Sequence, residues 1–316
     1  MVRTIRMALV SSALALSACA GDPDVAPTTG DAPEATSLLG EPLRPRDIPA
    51  ATRARLVAQL DSARRAYERT PSDADSIVWL GRRLAYLERY GDAIAVFSEG
   101  IEKHPRDARM YRHRGHRLIS VRRFDDAIAD LERAAELVRG TPDEVEPDGA
   151  PNRLNIPTST TQGNIHYHLA LAHYLRGDYD ASLAAWRQAL AIARNDDTRV
   201  AVTDWLYMTL RRLGRDDEAR ELLASIDAEM DVIENAAYHR RLLFYKGALP
   251  ADSLLTPGLT DDLQYVTQGY GVGNWHLAEG DSVRAFEIFD RVLGTGYWAA
   301  FGYVAAEADV ARAGRR

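Results

Sequence analysis

A fixed set of small and apolar positions recurs 34 residues apart in the middle of the chain. The first copy consists of Gly81, Ala93, Phe97 and Gly100, and the second of Gly115, Ala127, Leu131 and Ala134. A small residue within one helix, followed by small, large and small residues within the next, is typical of two antiparallel helices that pack closely. The pattern therefore predicts an all-α solenoid, in which helix pairs are stacked in series.

Looser apolar patterns extend this array in both directions. Upstream, four residues share one helical face and predict a first helix from about residue 51: Leu56, Leu60, Ala63 and Tyr67. Further copies contain Leu169, Ala170, Ser182, Trp186 and Ala189, then Leu206, Leu210, Ala219, Leu223 and Ile226, then Gly273, Ala285, Phe289 and Val292. Residues 231–246 predict one helix, followed by an irregular stretch. An unpaired last helix from about Trp298 is expected to cap the C-terminal end.

The repeats resemble the tetratricopeptide family from residue 73 to the C-terminus. The first copy matches the family pattern best, with Leu80, Gly81, Leu84, Ala93, Phe97, Gly100 and Pro105. The second copy has Arg139 in place of the proline, and the fourth has Tyr207 in place of a small residue, which implies wider packing. The resemblance implies that the first helix of each pair lines a concave face, and that this face binds a protein or peptide partner.

The N-terminus has the features of an export signal. Arg3 and Arg6 precede an apolar run at residues 7–18, which is too short to span a membrane. The run leads into the sequence LSAC at residues 16–19, which resembles the lipobox of bacterial lipoproteins. The resemblance implies a signal peptide at residues 1–18, with lipid attached to Cys19 after cleavage.

The residue after Cys19 bears on the destination of the chain. Ala20 is not the aspartate that retains lipoproteins in the inner membrane, so the resemblance implies an outer-membrane anchor that faces the periplasm. Ordinary cleavage after Ala20 is the alternative, because small residues at positions 18 and 20 also fit that rule. Cys19 is the only cysteine in the sequence, so its lipidation would leave neither a disulfide nor a cysteine nucleophile.

Composition separates a linker from the folded part. Residues 19–50 contain six prolines among alanine, threonine, glycine and aspartate, and predict a disordered tether. The repeat domain is predicted to span residues 51–316. The chain is 46% hydrophobic with a net charge of −7, which is ordinary for a globular protein and disfavours nucleic acid as a partner.

A long insertion separates the second copy from the third. Residues 140–163 contain four prolines together with Asp143, Glu144, Glu146 and Asp148. Connections of this length are uncommon in a compact array and are often functional. The alternative is a surface insertion that the fold merely tolerates.

The face expected to be concave carries basic and aromatic side chains, although the chain as a whole is acidic. The residues predicted to bind the partner are Arg82, Tyr86, Arg109, Arg112, His116, Asn164, Tyr167, Tyr174, Arg211, Arg212, Tyr270 and Asn274, with Asp204 and Met208 on the same face. Arginine and tyrosine side chains suit carboxylates and extended backbone. An acidic peptide or a free C-terminus is therefore the predicted ligand, unless these arginines pair with the chain's own acids.

Motifs for catalysis or cofactor binding are weak. His113 and His116 are one helical turn apart, as two metal ligands would be, but neighbouring arginines disfavour a cation. Gly269, Gly271 and Gly273 lack the preceding strand and the final spacing of a dinucleotide-binding motif. We therefore predict no enzymatic activity, no metal and no cofactor.

The function that these observations favour is an envelope-anchored adaptor whose concave groove binds a protein or peptide. A small-molecule-binding protein or an enzyme, with its site in the groove under residues 140–163, is the second possibility. A third is an assembly subunit of an envelope machine that docks through a flat apolar surface. Capture of proteins from envelope extract favours the adaptor, whereas a metabolite-dependent melting temperature favours the small-molecule site.

Overall fold

The computed structural model describes residues 32–255 and 262–315, so the predicted signal peptide at 1–18 and Cys19 lie outside the described residues. The helices are α1 (Ala50–Arg69), α2 (Ala74–Tyr86), α3 (Tyr90–Lys103), α4 (Ala108–Ser120), α5 (Phe124–Leu137), α6 (Thr161–Arg176), α7 (Tyr179–Ala191), α8 (Asp196–Arg212), α9 (Asp216–Leu222), α10 (Ala236–Tyr245), α11 (Asp252–Leu255), α12 (Asp262–Ala278), α13 (Ser282–Leu293) and α14 (Phe301–Arg312). A 3-10 turn at Leu223–Ser225 follows α9, and strands β1 (Ala35–Thr36) and β2 (Pro42–Leu43) pair antiparallel. Within the described ranges, no helix is long and apolar enough to cross a membrane.

Consecutive helices pack in pairs, and each pair packs on the next. The pairs are α2 with α3, α4 with α5, α6 with α7, α8 with α9, and α12 with α13. Helix α1 packs against α2 at the N-terminal end of the array, as the sequence predicts. The prediction of an all-α solenoid is confirmed.

Small residues lie where the two helices of a pair meet. A Cβ atom on Gly81 would lie 2.4 Å from Cζ of Phe97, and one on Gly115 would lie 2.7 Å from Cγ of Leu131. Carbon atoms in contact are normally about 3.5–4.0 Å apart, so any side chain at these positions would push the helices apart. The small residues of the 34-residue pattern are therefore required by this close contact between helices.

The turn within each full pair contains a residue with positive φ. These residues are Glu88 at 58°, Arg122 at 66°, Gly177 at 92°, Gly214 at 67° and Gly280 at 87°. Non-glycine residues are uncommon in this region of conformational space. The side chains of Glu88 and Arg122 are buried, and they form ion pairs with Arg46 and Glu307. The first two turns therefore attach segments near both ends of the described chain to the array.

Part of the predicted tether is folded. Strands β1 and β2 lie within it, and Leu43 packs into a core cluster with Trp298. Nε1 of Trp298 donates a hydrogen bond to the carbonyl of Arg44 at 2.6 Å, and Arg46 pairs with Glu88 at 2.5 Å. The prediction of disorder over residues 19–50 is therefore wrong for residues 35–46. Contacts with distant parts of the chain hold this segment in place, although its sequence has no apolar periodicity. Residues 19–31 lie outside the described residues.

The C-terminal helix does more than cap the array. Helix α14 packs on α12 and α13, as a cap would, and it also contacts α6 of the third pair. Glu307 of α14 pairs with Arg122 at 2.6 Å, and both side chains are almost fully buried. The backbone N–H of Leu38 also donates to Glu307. Helix α14 therefore fills part of the inner surface that the sequence predicts to be an open groove.

The helix predicted at residues 231–246 is shorter than expected, since α10 begins at Ala236. The backbone N–H groups of Ile233, Glu234 and Asn235 donate to the carboxylate of Asp197 at 2.7 to 2.9 Å. A buried carboxylate with three such donors is well satisfied. These bonds hold the segment outside the helix.

Candidate functional site

The first helices of the first three pairs, α2, α4 and α6, enclose a pocket on their inner face. Its volume is about 360 Å³. The predicted residues that line it are Arg82, Arg112, His116, Asn164 and Tyr167. Tyr86 lines an adjoining cavity of about 120 Å³ together with Arg82, Arg112 and His116. Stacking of the helix pairs thus brings six of the predicted residues together.

Three predicted residues farther along the array lie inside the protein. Tyr174 and Tyr270 have no exposed surface, and Asn274 is almost fully buried. The hydroxyl oxygens of Tyr174 and Tyr270 are 2.7 Å apart, and the Tyr174 hydroxyl donates to Oδ1 of Asn274 at 3.2 Å. Predicting these residues as a partner-binding surface was wrong, because they form an internal polar network that α14 helps to close.

The arginines of α8 are engaged by the chain's own carboxylates. Arg211 pairs with Asp216 at 2.8 Å and with Glu279 at 2.6 Å. Arg212 pairs with Asp309 of α14 at 2.5 Å. For these two residues the alternative of self-pairing is the correct one, and neither lines the pocket on α2, α4 and α6.

Other members of the predicted face are also turned away from the pocket. Arg109 pairs with Asp107 and with Asp75, both at 2.6 Å, beside a separate surface cleft. Asp204 is fully buried and pairs with Arg241 at 2.9 Å. The inner face is therefore divided into a pocket at its N-terminal half and an internal network at its C-terminal half.

The insertion, which occupies residues 138–160 between α5 and α6, places a carboxylate in the pocket. Oε1 of Glu146 lies 3.0 Å from Nη2 of Arg112, and Nδ2 of Asn164 donates to Oε2 of Glu146 at 3.1 Å. Glu146 and Arg112 are both buried. Two of the predicted partner-binding residues therefore hold a carboxylate of the same chain.

The same insertion places backbone carbonyls against two arginines of α2. Nη1 of Arg82 donates to the carbonyl of Pro147 at 2.8 Å. Nη1 of Arg83 donates to the carbonyl of Gly149 at 2.8 Å. Neither arginine has a carboxylate partner among the residues that the structure describes. These guanidinium groups therefore bind extended backbone in the way predicted for a partner peptide.

The insertion follows a defined path across the mouth of the pocket. Val145 and Thr160 form an antiparallel bridge at its base. Farther along, Nδ2 of Asn195 and Oγ1 of Thr198 donate to the carbonyl of Thr158 at 2.8 and 2.9 Å. The insertion is thus attached to the array on both sides of the pocket.

Three histidines, His113, His116 and His168, lie around the arginines. The ring centroids of His116 and His168 are 4.2 Å apart, and Arg112 donates to Nδ1 of His113 at 2.8 Å. Burial, and after it the charge of neighbouring arginines, holds the pKa of each histidine well below 6.5. All three are therefore neutral at pH 7. Among the residues described, no three potential ligand side chains converge as a metal site would require.

Three arginines, Arg82, Arg112 and Arg117, line the pocket and its adjoining cavity, and Glu234 is the one acidic lining residue among those described that does not belong to the insertion. Arg117 has no carboxylate partner in the described part of the chain, and its guanidinium lies 5.4 Å from the ring centroid of Tyr90. Burial lowers the pKa of Arg117 to about 10, which leaves it charged at pH 7. Nε of Arg112 has no hydrogen-bond partner among the residues that the structure describes. A site with these donors favours an anionic group.

Sequence reasoning missed several residues of the pocket. Arg117 lines the adjoining cavity, and Arg83, 34 positions earlier, binds the insertion from a neighbouring cleft, so the repeat register could have found both. Tyr238 and Phe301 also line the pocket, but they come from α10 and α14. Their position depends on how distant helices fold back, which a local pattern does not encode.

Comparison with protein families identifies one helix pair. Residues 163–196, which span α6, α7 and the turn that follows, match the model of the tetratricopeptide repeat family. This segment is similar to a tetratricopeptide repeat. The match supports the tetratricopeptide interpretation of the stacked pairs. No curated protein sequence matches the chain.

Solved structures with similar arrangements of helices include three tetratricopeptide or pilus proteins. YrrB, described as a TPR protein with an unusual peptide-binding site, has 15% identity and a TM-score of 0.42, with 75% of this chain and 93% of that chain covered. A tetratricopeptide repeat protein from Parabacteroides merdae has 14% identity, a TM-score of 0.49 and coverages of 82% and 94%. PilW, described as a type IV pilus biogenesis factor, has 14% identity, a TM-score of 0.46 and coverages of 77% and 87%.

Proposed function

We propose that the chain is a repeat scaffold that binds a protein or peptide partner through the pocket on α2, α4 and α6. The binding residues are Arg82, Tyr86, Arg112, His116, Asn164 and Tyr167, to which the structure adds Arg83 and Arg117. The partner presents acidic side chains and extended backbone.

The observation that supports this function is the set of groups that the arginines already bind. Arg82 and Arg83 each hold a backbone carbonyl, and Arg112 holds a carboxylate. A peptide offers both kinds of acceptor in one molecule. Charge-assisted hydrogen bonds in a shielded pocket are stronger than those on an open surface.

A small anionic molecule is the second candidate ligand. The pocket of about 360 Å³ is partly covered by the insertion, and a volume of this order suits a small ligand as well as a few residues of a peptide. The two functions predict different ligands that stabilise the folded chain. An anionic metabolite would raise the melting temperature of the purified chain, whereas an adaptor would need a protein partner.

The test of the proposed site is crosslinked capture from envelope extract. Arg82→Gln combined with Arg112→Gln removes two donors, of which the buried one of Arg112 is worth about 1.5–3 kcal/mol, so we expect at least a tenfold loss of captured partner. Arg211→Gln is the matched control, because Arg211 lies outside the pocket and should leave capture unchanged. Raising the salt concentration should weaken wild-type capture in the same direction.

Equal capture by the double variant and the wild type, with both shown folded by circular dichroism, would exclude this pocket as the binding surface. A loss in the Arg211→Gln control as large as in the double variant would also count against it, since the effect would then be one of general charge.

We further propose that Cys19 carries lipid and anchors the scaffold to the outer membrane, facing the periplasm. The support is the LSAC sequence at residues 16–19, which follows the apolar run. Cys19→Ala should move the chain from the membrane fraction to the soluble periplasmic fraction and remove the lipid adduct seen by mass spectrometry. Membrane retention of that variant, together with an unmodified wild-type cysteine, would contradict the anchor.

A further inference from the structure

Residues 146–149 of the insertion contact the pocket as a bound peptide does. The side chain of Glu146 and the carbonyl of Pro147 accept from residues that line the pocket, and the carbonyl of Gly149 accepts from Arg83, which follows Arg82 on α2. The backbone N–H of Glu146 donates to the carbonyl of Ser159 at 3.1 Å, which holds the start of the segment in place. A combination of main-chain bonds and one charged side chain is a common mode of peptide recognition.

The last of these four residues lies close against the ends of two side chains of α2. A Cβ atom on Gly149 would lie 2.0 Å from Oη of Tyr86 and 2.8 Å from Nη2 of Arg82. The φ angle of Gly149 is not among the positive ones, so the close contact and not the backbone conformation is what a larger residue would disturb. The segment therefore presents a carboxylate to Arg112 and, three residues later, a glycine whose replacement would displace the ends of Tyr86 and Arg82.

Any group that replaces the insertion has to supply an acceptor for Arg112. Arg112 is buried and would lose the carboxylate of Glu146, whereas Arg82 and Arg83 are half-exposed, so water can replace the carbonyls that they now bind. Buried polar groups that lose their partners carry a large free-energy penalty. A ligand that brings a carboxylate to Arg112 avoids that penalty, and carbonyl oxygens beside it would restore the bonds of Arg82 and Arg83, whereas a purely apolar segment does neither.

On the basis of the function proposed above, we propose that residues 146–149 occupy the binding site of a partner protein's extended segment. That segment carries an acidic side chain three residues before a glycine and displaces the insertion when it binds. The insertion is then an internal competitor. Its attachment at both ends gives it a high effective concentration, so it lowers the apparent affinity of the pocket for the partner.

The test measures binding of a fluorescent peptide of residues 144–150 to the full chain in detergent, by fluorescence anisotropy. Glu146→Gln in the chain removes the charge of Glu146 at nearly constant shape, and Gly149→Leu adds a side chain that would displace the ends of Tyr86 and Arg82. We expect both variants to bind the peptide about tenfold more tightly than the wild type, since they release the internal competitor. Glu144→Gln is the control, because Glu144 is an exposed glutamate on the same insertion, and it should match the wild type.

The peptide itself is varied in the second arm. Against the Glu146→Gln chain, peptides that carry Glu146→Gln or Gly149→Leu should bind at least tenfold more weakly than the native peptide. Addition of Arg82→Gln to that chain should weaken the native peptide as well. Circular dichroism shows whether each variant is folded. If the Gly149→Leu chain is not folded, the nearly isosteric Glu146→Gln chain alone carries the test.

Equal affinity of the wild type and both insertion variants for the peptide would overturn the proposal. So would equal binding of the native and Gly149→Leu peptides. If the wild type forms a dimer and Glu146→Gln abolishes it, the surface serves self-association. That result would overturn the proposal that a partner protein's segment binds there. If instead Arg82→Gln with Arg112→Gln loses captured partner while the insertion variants behave as wild type, this inference fails and the proposed function stands.

Discussion

The N-terminal and C-terminal halves of the inner face differ in the groups that their arginines bind. In the first half, Arg82 and Arg83 bind backbone carbonyls of a connection between helices. In the second half, Arg212 binds Asp309 of α14, and Arg241 binds Asp204. Both halves carry arginines on helices of the array, but one half is a covered pocket and the other is interior.

This difference shows that residue type on a repeat face does not decide whether the face is available. The second half is filled by α14, whose Asp309 binds Arg212, Arg312 and Tyr270, so these groups are paired within the chain. The first half is satisfied by an insertion whose contacts a peptide could replace. The comparison therefore predicts that changes in the second half alter stability and that changes in the first half alter binding.

The largest effect is expected for Asp309→Asn in the second half. The Asp309 carboxylate accepts from Arg212, Arg312 and Tyr270. Removal of one partner of a buried ion pair costs about 3–5 kcal/mol, so the free energy of unfolding, measured with urea, should fall by about that amount. Affinity for the 144–150 peptide should be unchanged.

The control for this change is Asp217→Asn. Asp217 pairs with Arg220 on the surface, where a pair contributes less than about 1 kcal/mol. A stable Asp309→Asn chain that binds the peptide poorly would break the comparison, because the second half would then belong to the binding site.

A smaller effect is expected for Gly81→Ala, which tests the packing behind the pocket wall. The added Cβ would lie 2.4 Å from the ring of Phe97, and overpacking costs about 1–3 kcal/mol. Gly81 precedes Arg82, so a shift of α2 should weaken peptide binding as well as lower the melting temperature.

Gly91→Ala is the matched control in α3. The nearest atom to its added Cβ is Oε2 of Glu34 at 3.6 Å, and alanine is favoured over glycine in a helix by about 1 kcal/mol. This variant should melt at or above the wild-type temperature. Equal melting of Gly81→Ala and the wild type would show that the helices tolerate a wider contact.

The smallest effect is in the pH dependence of stability, and its sign should differ between the halves. Burial holds the pKa of His168 well below 6.5. As the pH falls through 6.5, this histidine is therefore protonated in the unfolded chain but stays neutral in the folded chain. Its contribution to stability is therefore present above pH 6.5 and is lost as the pH falls, by about 1.4 kcal/mol at pH 5.5. Burial raises the pKa of Asp204 to about 7, so the contribution of Asp204 increases as the pH falls from 7 towards 4.

Urea unfolding at pH 7.5 and 5.5 measures both contributions. His168→Gln should reduce the stability lost between these pH values, and Asp204→Asn should increase it. If neither substitution changes that difference, the two groups titrate in the folded chain as they do in the unfolded chain.

The sequence predicts the parts of the fold that repeat. Gly81 and Gly115 lie at helix contacts, and α1 begins within one residue of its predicted start. Such features are predictable because each helix pair contacts its neighbours in the same way, so the same size of residue is needed every 34 positions. The residues that line the pocket from α2, α4 and α6 follow from the same register.

The features that do not repeat are not predictable in this way. Residues 35–46 have no apolar period, yet Leu43 is buried because Trp298 and its neighbours cover it. The helix predicted from residue 231 starts later, because Asp197 binds the intervening backbone. Both outcomes depend on residues far away in sequence.

The sequence by itself determined that this protein is a stack of helix pairs with a basic inner face, because close packing and charge are properties of single positions in a regular repeat. The tertiary structure alone decided which part of that face is a pocket. Tyr174, Tyr270 and Asn274 are interior because α14 folds back over them, and Arg112 meets Glu146 because the insertion crosses α4. Burial and pairing depend on which distant segments arrive at a surface, and no local period carries that information.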